Sequence, residues 1–414
     1  MSLIGKKILS LLGLLILTAM SYGSTIYVKP GKAAIQAAIN NAIAGDTIII
    51  HEGVYNEHDI HVSKKLFISG KGNVIIDGQR KSEIFVLSAN GIVLQGLTIQ
   101  NTGISSMQDM AAVRIQEANY VTVRNNKILN NTYGVYVQNG AHCLVKTNII
   151  SSGAVSEQNS GNGIHVWRGD SLRIEGNKVS GHRDGIYLEF VVHSIVVNNT
   201  SEKNLRYGLH FMFSHDDVYS KNTFSDNGSG VAVMFSNRVT MTGNVFKNNW
   251  GDAAYGLLLK EITDGKIEGN LFIRNTVGVY MEGATRIHTS KNIFKDNGWA
   301  MRIQASSSNG SFTQNNFINN SFDVATNGTM VMNVFKNNYW DKYDGYDLDR
   351  DDVGDIPYYP VSLYAVVTEK VPTAMILYRS FLTDILDKVE KVMPSIIPDQ
   401  LKDDSPVMKK WELK

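Results

Sequence analysis

The sequence predicts an all-β protein, a right-handed parallel β-helix with an N-terminal capping helix and a C-terminal helical tail. The first observation behind this prediction is an asparagine that recurs mostly at steps of 22 or 23 residues, about the length of one β-helix coil. The recurring positions are Asn126, Asn148, Asn177, Asn199, Asn222, Asn244, Asn270, Asn292, Asn315 and Asn333. The second observation is a short apolar run opened by glycine, as in Gly163-Ile-His-Val and Gly278-Val-Tyr-Met. Runs this short favour strands over helices.

Asparagine suits the corners of such coils because it tolerates left-handed backbone geometry and its amide both donates and accepts hydrogen bonds. We therefore expect the amides to stack and to bond from one coil to the next. The composition also fits a packed core, since 43% of the residues are hydrophobic. The formal net charge is +1, and without a basic run this balance gives no support for nucleic-acid binding.

The N-terminal residues predict export. Lys6 and Lys7 precede an apolar run over residues 8–20, and small residues follow it. Residues 1–23 are therefore predicted to be a cleaved signal peptide. A signal anchor is the alternative, although the run is shorter than the roughly 20 residues that span a bilayer.

The rest of the chain divides into four predicted segments. Residues 24–60 hold an N-terminal cap, including a helix, and the first strands, because an uncovered first coil would expose a sheet edge. The β-helix repeats occupy residues 61–340. An acidic loop over residues 341–363 closes the solenoid, and an amphipathic helix and tail occupy residues 364–414.

The acidic loop is a candidate calcium site. Its carboxylates stand at positions one, three, five and nine of a loop, which is the spacing of oxygen-rich calcium loops. They belong to Asp347, Asp349, Asp351 and Asp355. Asp352 stands where such loops have glycine and Tyr358 where they have glutamate, so a solvated turn is the alternative to a structural calcium ion.

One outer strip of the solenoid is a candidate partner-binding face. Side chains alternate along a strand, so the second and fourth residues after each repeat glycine are expected to point outward. The residues of this predicted face are His165, Trp167, Tyr187, Glu189, His210, Met212, Met234, Lys260, Tyr280, Glu282 and Arg302. Exposed aromatic and methionine side chains are typical of interaction surfaces.

Part of this strip also suits a soft metal ion. Met234 follows Met212 by 22 residues, which places the two side chains on neighbouring coils about 4.8 Å apart. With His210 and His215 they form a thioether and imidazole set that favours Cu(I). Adaptable contacts with a protein partner are the alternative role for exposed methionines.

Longer motifs show a resemblance to one family. They include Gly163-Ile-His-Val-Trp167 and Ala254-Tyr-Gly-Leu-Leu-Leu-Lys260, together with the segments 183–190, 206–214, 275–282 and 346–363. In this order they closely resemble the NosD family, periplasmic accessory proteins of nitrous-oxide reductase. The resemblance covers nearly the whole chain after the predicted signal peptide.

The resemblance implies a periplasmic, non-catalytic maturation factor rather than an enzyme. Its implied partners are an inner-membrane ABC transporter permease, a copper chaperone and nitrous-oxide reductase, whose copper centres it would help to assemble. The family's copper-binding label implies transient binding of copper, and the alternative is that the protein handles only its protein partners while metal or sulfur travels elsewhere. Docking on the transporter would use the apolar stripe of the tail, at Leu377, Phe381, Ile385, Val389 and Val392. The alternative for this tail is a cap folded back on the final coil.

A secreted carbohydrate-binding or polysaccharide-cleaving β-helix is the competing class. In that class Trp167, Tyr187 and Tyr280 would be platforms for sugar rings. The nearest approach to catalytic acids is Ser214-His-Asp-Asp217, and no second pair of outward acids follows one coil away, as polysaccharide hydrolysis would require.

Overall fold

The computed structural model describes residues 23–412 except 106, 159, 329–331, 378–379, 384 and 387–400. The predicted signal peptide therefore lies almost wholly outside the described residues. In the described part of the chain, no helix is long and apolar enough to cross a membrane.

Short strands dominate the described residues. The helices are α1 (Ala34–Asn41), α2 (Leu363–Lys370) and a 3-10 helix at Pro372–Leu377. The strands are β1 Thr25–Val28, β2 Thr47–Asn56, β3 Ile60–Val62, β4 Phe67–Asp77, β5 Phe85–Leu87, β6 Val93–Gln95, β7 Thr98–Gln100, β8 Ala111–Gln116, β9 Thr122–Arg124, β10 Lys127–Leu129, β11 Tyr133–Ala141, β12 Leu144–Lys146, β13 Ile149–Ser151, β14 Ile164–Asp170, β15 Arg173–Glu175, β16 Lys178–Ser180, β17 Ile186–Val192, β18 Ile195–Val197, β19 Thr200–Glu202, β20 Tyr207–Met212, β21 Val218–Ser220, β22 Thr223–Ser225, β23 Ser229–Met234, β24 Thr240–Thr242, β25 Val245–Lys247, β26 Tyr255–Lys260, β27 Lys266–Glu268, β28 Leu271–Ile273, β29 Val277–Glu282, β30 His288–Ser290, β31 Ile293–Lys295, β32 Trp299–Ile303, β33 Ser311–Thr313, β34 Asn316–Ile318, β35 Phe322–Ala325, β36 Val334–Lys336 and β37 Tyr339–Trp340.

These strands form a parallel β-solenoid. A twelve-stranded sheet runs from β3 through β5, β8 and every third strand to β35. The other 25 strands form two rows that join through the long strand β4, which pairs with β6 at one end and β7 at the other. Each coil thus contributes one strand to each of three faces. The parallel β-helix prediction is confirmed.

The inner residues of each strand fill the bore of the solenoid. Ile164 and Val166 are fully buried, as the alternation predicts. On another row Phe246, Phe272 and Phe294 stack with ring centroids 4.5 and 4.8 Å apart. This coil-on-coil stacking removes a continuous apolar column from water, which is the main stabilising contribution in such a fold.

A buried asparagine ladder holds one corner of the solenoid. The Asn244 amide donates to Oδ1 of Asn270, one coil on, and the Asn270 amide donates to Oδ1 of Asn292, both at 3.0 Å. This pairing runs from Asn126 to Asn315 as predicted, but the next member is Asn338, which accepts the amide of Asn315 at 3.0 Å. Asn333 was predicted in its place and instead accepts the Gly310 N–H at another corner.

The two ends of the solenoid are closed differently. At the N-terminal end α1 covers the first coil, and the Glu57 carboxylate accepts the first helical N–H groups of Ile35 and Gln36 at 3.1 and 2.7 Å. At the other end Asp403 takes the next position of the asparagine ladder, where its Oδ2 accepts both the backbone and side-chain N–H of Asn338. Residues near 403 therefore cap the final coil.

The predicted tail helix is only partly in the described residues. Leu377 ends the 3-10 helix, and Phe381 and Ile385 are exposed, whereas Val389 and Val392 lie outside the described residues. The tail thus separates into an exposed segment around Phe381 and a capping segment around Asp403. Transporter docking through the stripe stays a prediction.

Candidate functional site

A column of stacked rings lies on the outer face of the twelve-stranded sheet. Its members Tyr136, His165, Tyr187 and His210 come from β11, β14, β17 and β20, and the strand register places them side by side. Neighbouring ring centroids are 4.5, 4.9 and 4.7 Å apart. We call these four residues the outer column.

The outer column is covered, which the sequence analysis did not predict. His165, Tyr187 and His210 are only 7%, 9% and 5% exposed, although they were expected to be open to solvent. Each ring is shielded by its neighbours along the column, and residues at the start of the strands add cover. The Tyr207 ring, for example, lies 4.9 Å from that of His210. Tyr187 lies between two imidazoles, so it is not an open platform for a sugar ring.

The histidines of the column have unused ring nitrogens. Nε2 of both His165 and His210 is buried and has no hydrogen-bond partner among the described residues. Burial, aided by the nearby Arg183, lowers the pKa of His165 to about 3, so this imidazole is neutral. Nδ1 of His165 accepts from the Asn162 amide at 3.4 Å, so its Nε2 is an N–H donor without an acceptor. A buried polar atom without a partner is unusual in a folded protein.

A buried ion pair supports His210 from behind. Arg206 donates from Nε and Nη2 to the two Asp184 oxygens at 3.0 and 2.8 Å. Nδ1 of His210 lies 3.8 Å from Asp184 Oδ2 and 3.4 Å from Arg206 Nη2. Burial opposes ionisation of Asp184, but hydrogen bonds from His210 and Arg206 outweigh it and hold the pKa of Asp184 below its usual value.

The sequence analysis did not identify this pair as part of the site. Asp184 and Arg206 are 22 residues apart, one coil step, so opposite charges at that spacing were the available signal. The same spacing joins Asp216 to Arg238 in an exposed bidentate pair. Charge complementarity at one coil step is therefore readable from sequence, whereas the burial of Asp184 is not.

Two methionines lie beside His210. Met212 and Met234 occupy equivalent positions on β20 and β23, the neighbouring placement that the 22-residue step predicts. The Tyr187 hydroxyl lies 3.6 Å from Met212 Sδ. We call Met212 and Met234 the thioether pair. Soft thioethers next to a buried imidazole match the ligand preference of Cu(I).

His215 is set apart from the thioether pair. The chain turns at Phe213, whose φ is 50°, and His215 lies beyond that corner. Its Nδ1 accepts the backbone N–H of Asn237 at 3.2 Å. Among the four predicted copper ligands, the structure thus groups His210 with Met212 and Met234.

The remaining residues of the predicted face form two further groups. Trp167 lies under the Arg168 guanidinium, 4.4 Å from its ring centroid, and Glu189 stands between Trp167 and Met212 in the strand register. Further along the sheet, Lys260 pairs with Glu282 at 3.2 Å.

Tyr280 and Arg302 complete that second group. The Arg302 guanidinium lies 5.8 Å from the Tyr280 ring centroid, and the Tyr280 hydroxyl lies 3.5 Å from Glu282. These later coils therefore present a charged surface, whereas the coils around Met212 present a soft, apolar one.

The acidic loop gathers three of its four predicted carboxylates. Asp347, Asp349 and Asp351 bring potential ligand oxygens within 4.8 Å of one another. The Asp355 carboxylate instead accepts the Leu348 N–H at 2.7 Å. The neighbouring Asp351 carboxylate raises the pKa of Asp349, which shows that the loop concentrates negative charge.

The nearest candidate for a catalytic acid lies inside the fold. Asp217 is fully buried, and its Oδ1 accepts the Ser194 N–H at 2.7 Å. Burial outweighs this hydrogen bond and raises the pKa of Asp217 to about 8. The side chain thus belongs to the interior of the solenoid and not to its outer face.

Fold and site together define a β-solenoid that presents binding chemistry on one outer face. The sequence model of the NosD family, described as periplasmic copper-binding protein, matches residues 39–157 and 150–345. Because these matches cover most of the chain, the protein belongs to the NosD family.

Two relatives share one description with each other. The chain is 27% identical over 375 residues to a probable ABC transporter binding protein NosD of Pseudomonas aeruginosa, covering 84% of this chain and 85% of the relative. It is 29% identical over 356 residues to the protein of that description in Stutzerimonas stutzeri, covering 81% and 80%. Both relatives are thus described as probable ABC transporter binding proteins.

Solved structures share the fold at low sequence identity. The A-module of the mannuronan C-5 epimerase AlgE6 of Azotobacter vinelandii superposes with a TM-score of 0.56 at 16% identity, covering 74% of this chain and 89% of that one. The catalytic unit of an α-1,3-glucanase of Streptomyces thermodiastaticus gives 0.56 at 12% identity, covering 78% and 66%. These similarities concern the β-solenoid alone.

Proposed function

We propose that this protein is a periplasmic, non-catalytic assembly factor that works with an inner-membrane ABC transporter to mature the copper centres of nitrous-oxide reductase. A copper chaperone delivers Cu(I), which the protein holds transiently before the reductase receives it. The observation that carries this proposal is the thioether pair two positions along the strands from His210, whose Nε2 is buried and has no described partner, in a family named for periplasmic copper binding.

The surroundings of His210 support a role in holding copper. Metal-bound histidines commonly donate their second ring N–H to a carboxylate. In this structure Nδ1 of His210 accepts from Arg206 Nη2 at 3.4 Å, so Nε2 carries the ring hydrogen. Copper binding would move this hydrogen to Nδ1, which lies 3.8 Å from the Asp184 carboxylate, and would free the Nε2 lone pair for the metal. Met212 and Met234 add neutral sulfur ligands, so that a bound Cu(I) keeps its charge and can be passed on.

The other predicted roles extend the same proposal. The surface at Lys260, Tyr280, Glu282 and Arg302 offers charged contacts for protein partners, as do Trp167 and Glu189 nearer the thioether pair. The exposed Leu377, Phe381 and Ile385 would dock on the transporter, because an amphipathic segment gains stability by burying its apolar side chains.

A structural calcium ion is the remaining proposal. It would lie at Asp347, Asp349 and Asp351, whose clustered charge favours a divalent cation. Bound there, it would hold the acidic loop against the capping segment, because Lys409 of that segment pairs with the adjacent Asp352 at 2.8 Å.

The copper proposal is tested by anaerobic Cu(I) titration in competition with a chromophoric chelator. The Met212→Leu/Met234→Leu variant keeps the apolar bulk and removes both thioethers. We expect its Cu(I) affinity to fall by more than about 100-fold, since changes outside the ligand shell alone cost about 10- to 100-fold. Met107→Leu/Met332→Leu removes two other exposed thioethers and should leave the affinity unchanged.

The same variants test maturation in cells. With Met212→Leu/Met234→Leu as the sole copy, nitrous-oxide reductase should accumulate with low copper content and low activity, whereas the control variant should support a fully loaded enzyme. Parental Cu(I) affinity in the thioether-pair variant, or no Cu(I) binding by the parent, would show that copper is not held at this site.

A further inference from the structure

Three phenylalanines form a strip at one corner of consecutive coils, with the outer two exposed and the middle one half-buried. Phe190, Phe213 and Phe235 directly follow Glu189, Met212 and Met234, which the strand register aligns. Their rings stack with centroids 5.3 and 5.1 Å apart. We call these three phenylalanines the corner strip.

The backbone of the corner strip is unfavourable for phenylalanine. The φ angles of Phe190, Phe213 and Phe235 are 55°, 50° and 51°, in the left-handed region that bulky side chains rarely adopt. Asparagine, aspartate, lysine and arginine fill most of the other left-handed positions, as at Asn198 and Lys221. Strain therefore opposes three adjacent phenylalanines at this corner.

Solvation opposes them as well. Phe190 and Phe235 are 46% and 38% exposed, whereas the repeat phenylalanines of the bore, such as Phe246 and Phe272, are fully buried. An exposed stack of rings gives the solenoid little burial. Neither backbone preference nor solvation explains the corner strip, and a contiguous exposed apolar surface is typical of a binding site.

The corner strip has a charged residue at each end. Arg168 occupies the same corner one coil before Phe190, and Glu261 occupies it one coil after Phe235; both have positive φ. In the described part of the chain, neither Arg168 nor Glu261 forms an ion pair shorter than 4 Å. The strip from Arg168 to Glu261 spans four coil steps, about 19 Å at about 4.8 Å per step.

We propose that the corner strip is the docking surface for a Cu(I)-carrying donor protein. The matching surface would be an apolar patch with an acidic residue opposite Arg168 and a basic residue opposite Glu261. The choice of occupant rests on the proposed function and on adjacency, because Met212 and Met234 immediately precede Phe213 and Phe235. A donor seated on these rings brings its metal beside the thioether pair.

The test replaces all three phenylalanines by asparagine, which accepts left-handed geometry. We expect Phe190→Asn/Phe213→Asn/Phe235→Asn to melt at or above the parental temperature, since strain and exposed apolar surface are both removed. Its association with a purified, Cu(I)-loaded periplasmic copper chaperone should weaken at least about tenfold. The initial rate of copper transfer from this donor should fall by a similar factor.

Two controls and two charge reversals test whether the effect is specific to the corner strip. Tyr120→Asn makes the same type of change at another exposed aromatic residue with positive φ, 58°, and should leave donor binding unchanged. Arg168→Glu should weaken donor binding and Glu261→Lys should do the same, because each places a like charge against the partner. Cu(I) supplied as its glutathione complex should load the corner-strip variant as fast as the parent.

The outcomes separate the docking surface from the proposed function. Parental donor binding and transfer in the triple variant would overturn the docking surface alone, and so would a parent that loads from the glutathione complex but does not bind the donor. A parent that takes no Cu(I) from either source would overturn the proposed function and the docking surface with it.

Discussion

The inner asparagine ladder and the outer column are both built by stacking side chains at one-coil steps, yet they use their hydrogen-bonding groups differently. In the ladder, the Asn270 amide donates to a backbone carbonyl and to the next asparagine while its oxygen accepts two N–H groups. In the outer column, Nε2 of His165 and of His210 have no described partner.

This difference in hydrogen bonding assigns the ladder to stability and the outer column to function. Buried polar groups normally have partners, because leaving one unpaired costs about 1–3 kcal/mol. The ladder satisfies this requirement at every coil, so it stabilises the corner. The outer column leaves Nε2 of His165 and of His210 unpaired, and at His210 the Asp184–Arg206 pair lies on the other side of the ring. Unpaired buried nitrogens are expected where a ligand supplies the missing partner.

The largest effect on this comparison should come from breaking the ladder. Asn270→Leu removes the partner of two N–H groups of Asn244 and of the Met241 carbonyl, whereas the Asn292 oxygen keeps the backbone N–H of residue 270. We expect the free energy of unfolding to fall by at least about 3 kcal/mol, because each buried orphan costs about 1–3 kcal/mol. Urea denaturation followed by circular dichroism measures this change.

An exposed asparagine is the matched control for that measurement. Asn309 lies at a left-handed corner with φ of 56°, outside the ladder. Asn309→Leu should cost only about 1–2 kcal/mol of backbone strain. Equal losses in the two variants would show that the ladder contributes no more than any other corner.

A smaller effect per pH unit should come from the acid Asp217 in the solenoid interior. The pKa of Asp217 is raised to about 8 by burial, so the native state keeps a proton that the unfolded chain loses near pH 4. The contribution of Asp217 to the free energy of unfolding should therefore fall by up to about 1.4 kcal/mol per pH unit up to pH 8 and then level off. This fall is clearest above about pH 6.5, because below it the neutral His165 makes stability rise with pH.

Asp217→Asn should remove this slope and stabilise the protein most at alkaline pH. The neighbouring Asp216 provides the control, since it is partly exposed and paired with Arg238. Asp216→Asn should leave the slope between pH 6 and 8 as it is in the parent. Thermal melts at pH 5, 6, 7, 8 and 9 compare the three proteins, and a parental slope in Asp217→Asn would contradict the buried protonated acid.

The sequence predicted the interior of the molecule better than its outer face. Period and amide chemistry were enough to predict the ladder from Asn126 to Asn315, because every coil repeats the same local requirement. The prediction of Asn333 as the next member was wrong, because Asn333 follows Asn315 by only 18 residues, whereas Asn338 follows it at the regular step of 23 residues. Asp403 completes the ladder from 65 residues further on, a distance at which no periodicity indicates contact.

On the outer face, alternation predicted the direction of side chains but not their cover. His210 points away from the bore as expected, yet Tyr187 and Tyr207 close over it. Such cover depends on which side chains stand at the start of each strand and on the neighbouring coil, and these vary from coil to coil. The thioether pair was predictable because Met212 and Met234 differ by one regular step, whereas the support from Asp184 required three-dimensional packing.

The most direct test of the central claim is X-ray absorption at the copper edge of the anaerobically Cu(I)-loaded protein. Copper held by the thioether pair and His210 should show sulfur and imidazole scattering together, and Met212→Leu/Met234→Leu should lose the sulfur contribution. A parental spectrum without sulfur, or a sulfur contribution that persists in this variant, would contradict copper binding on the outer face beside the outer column.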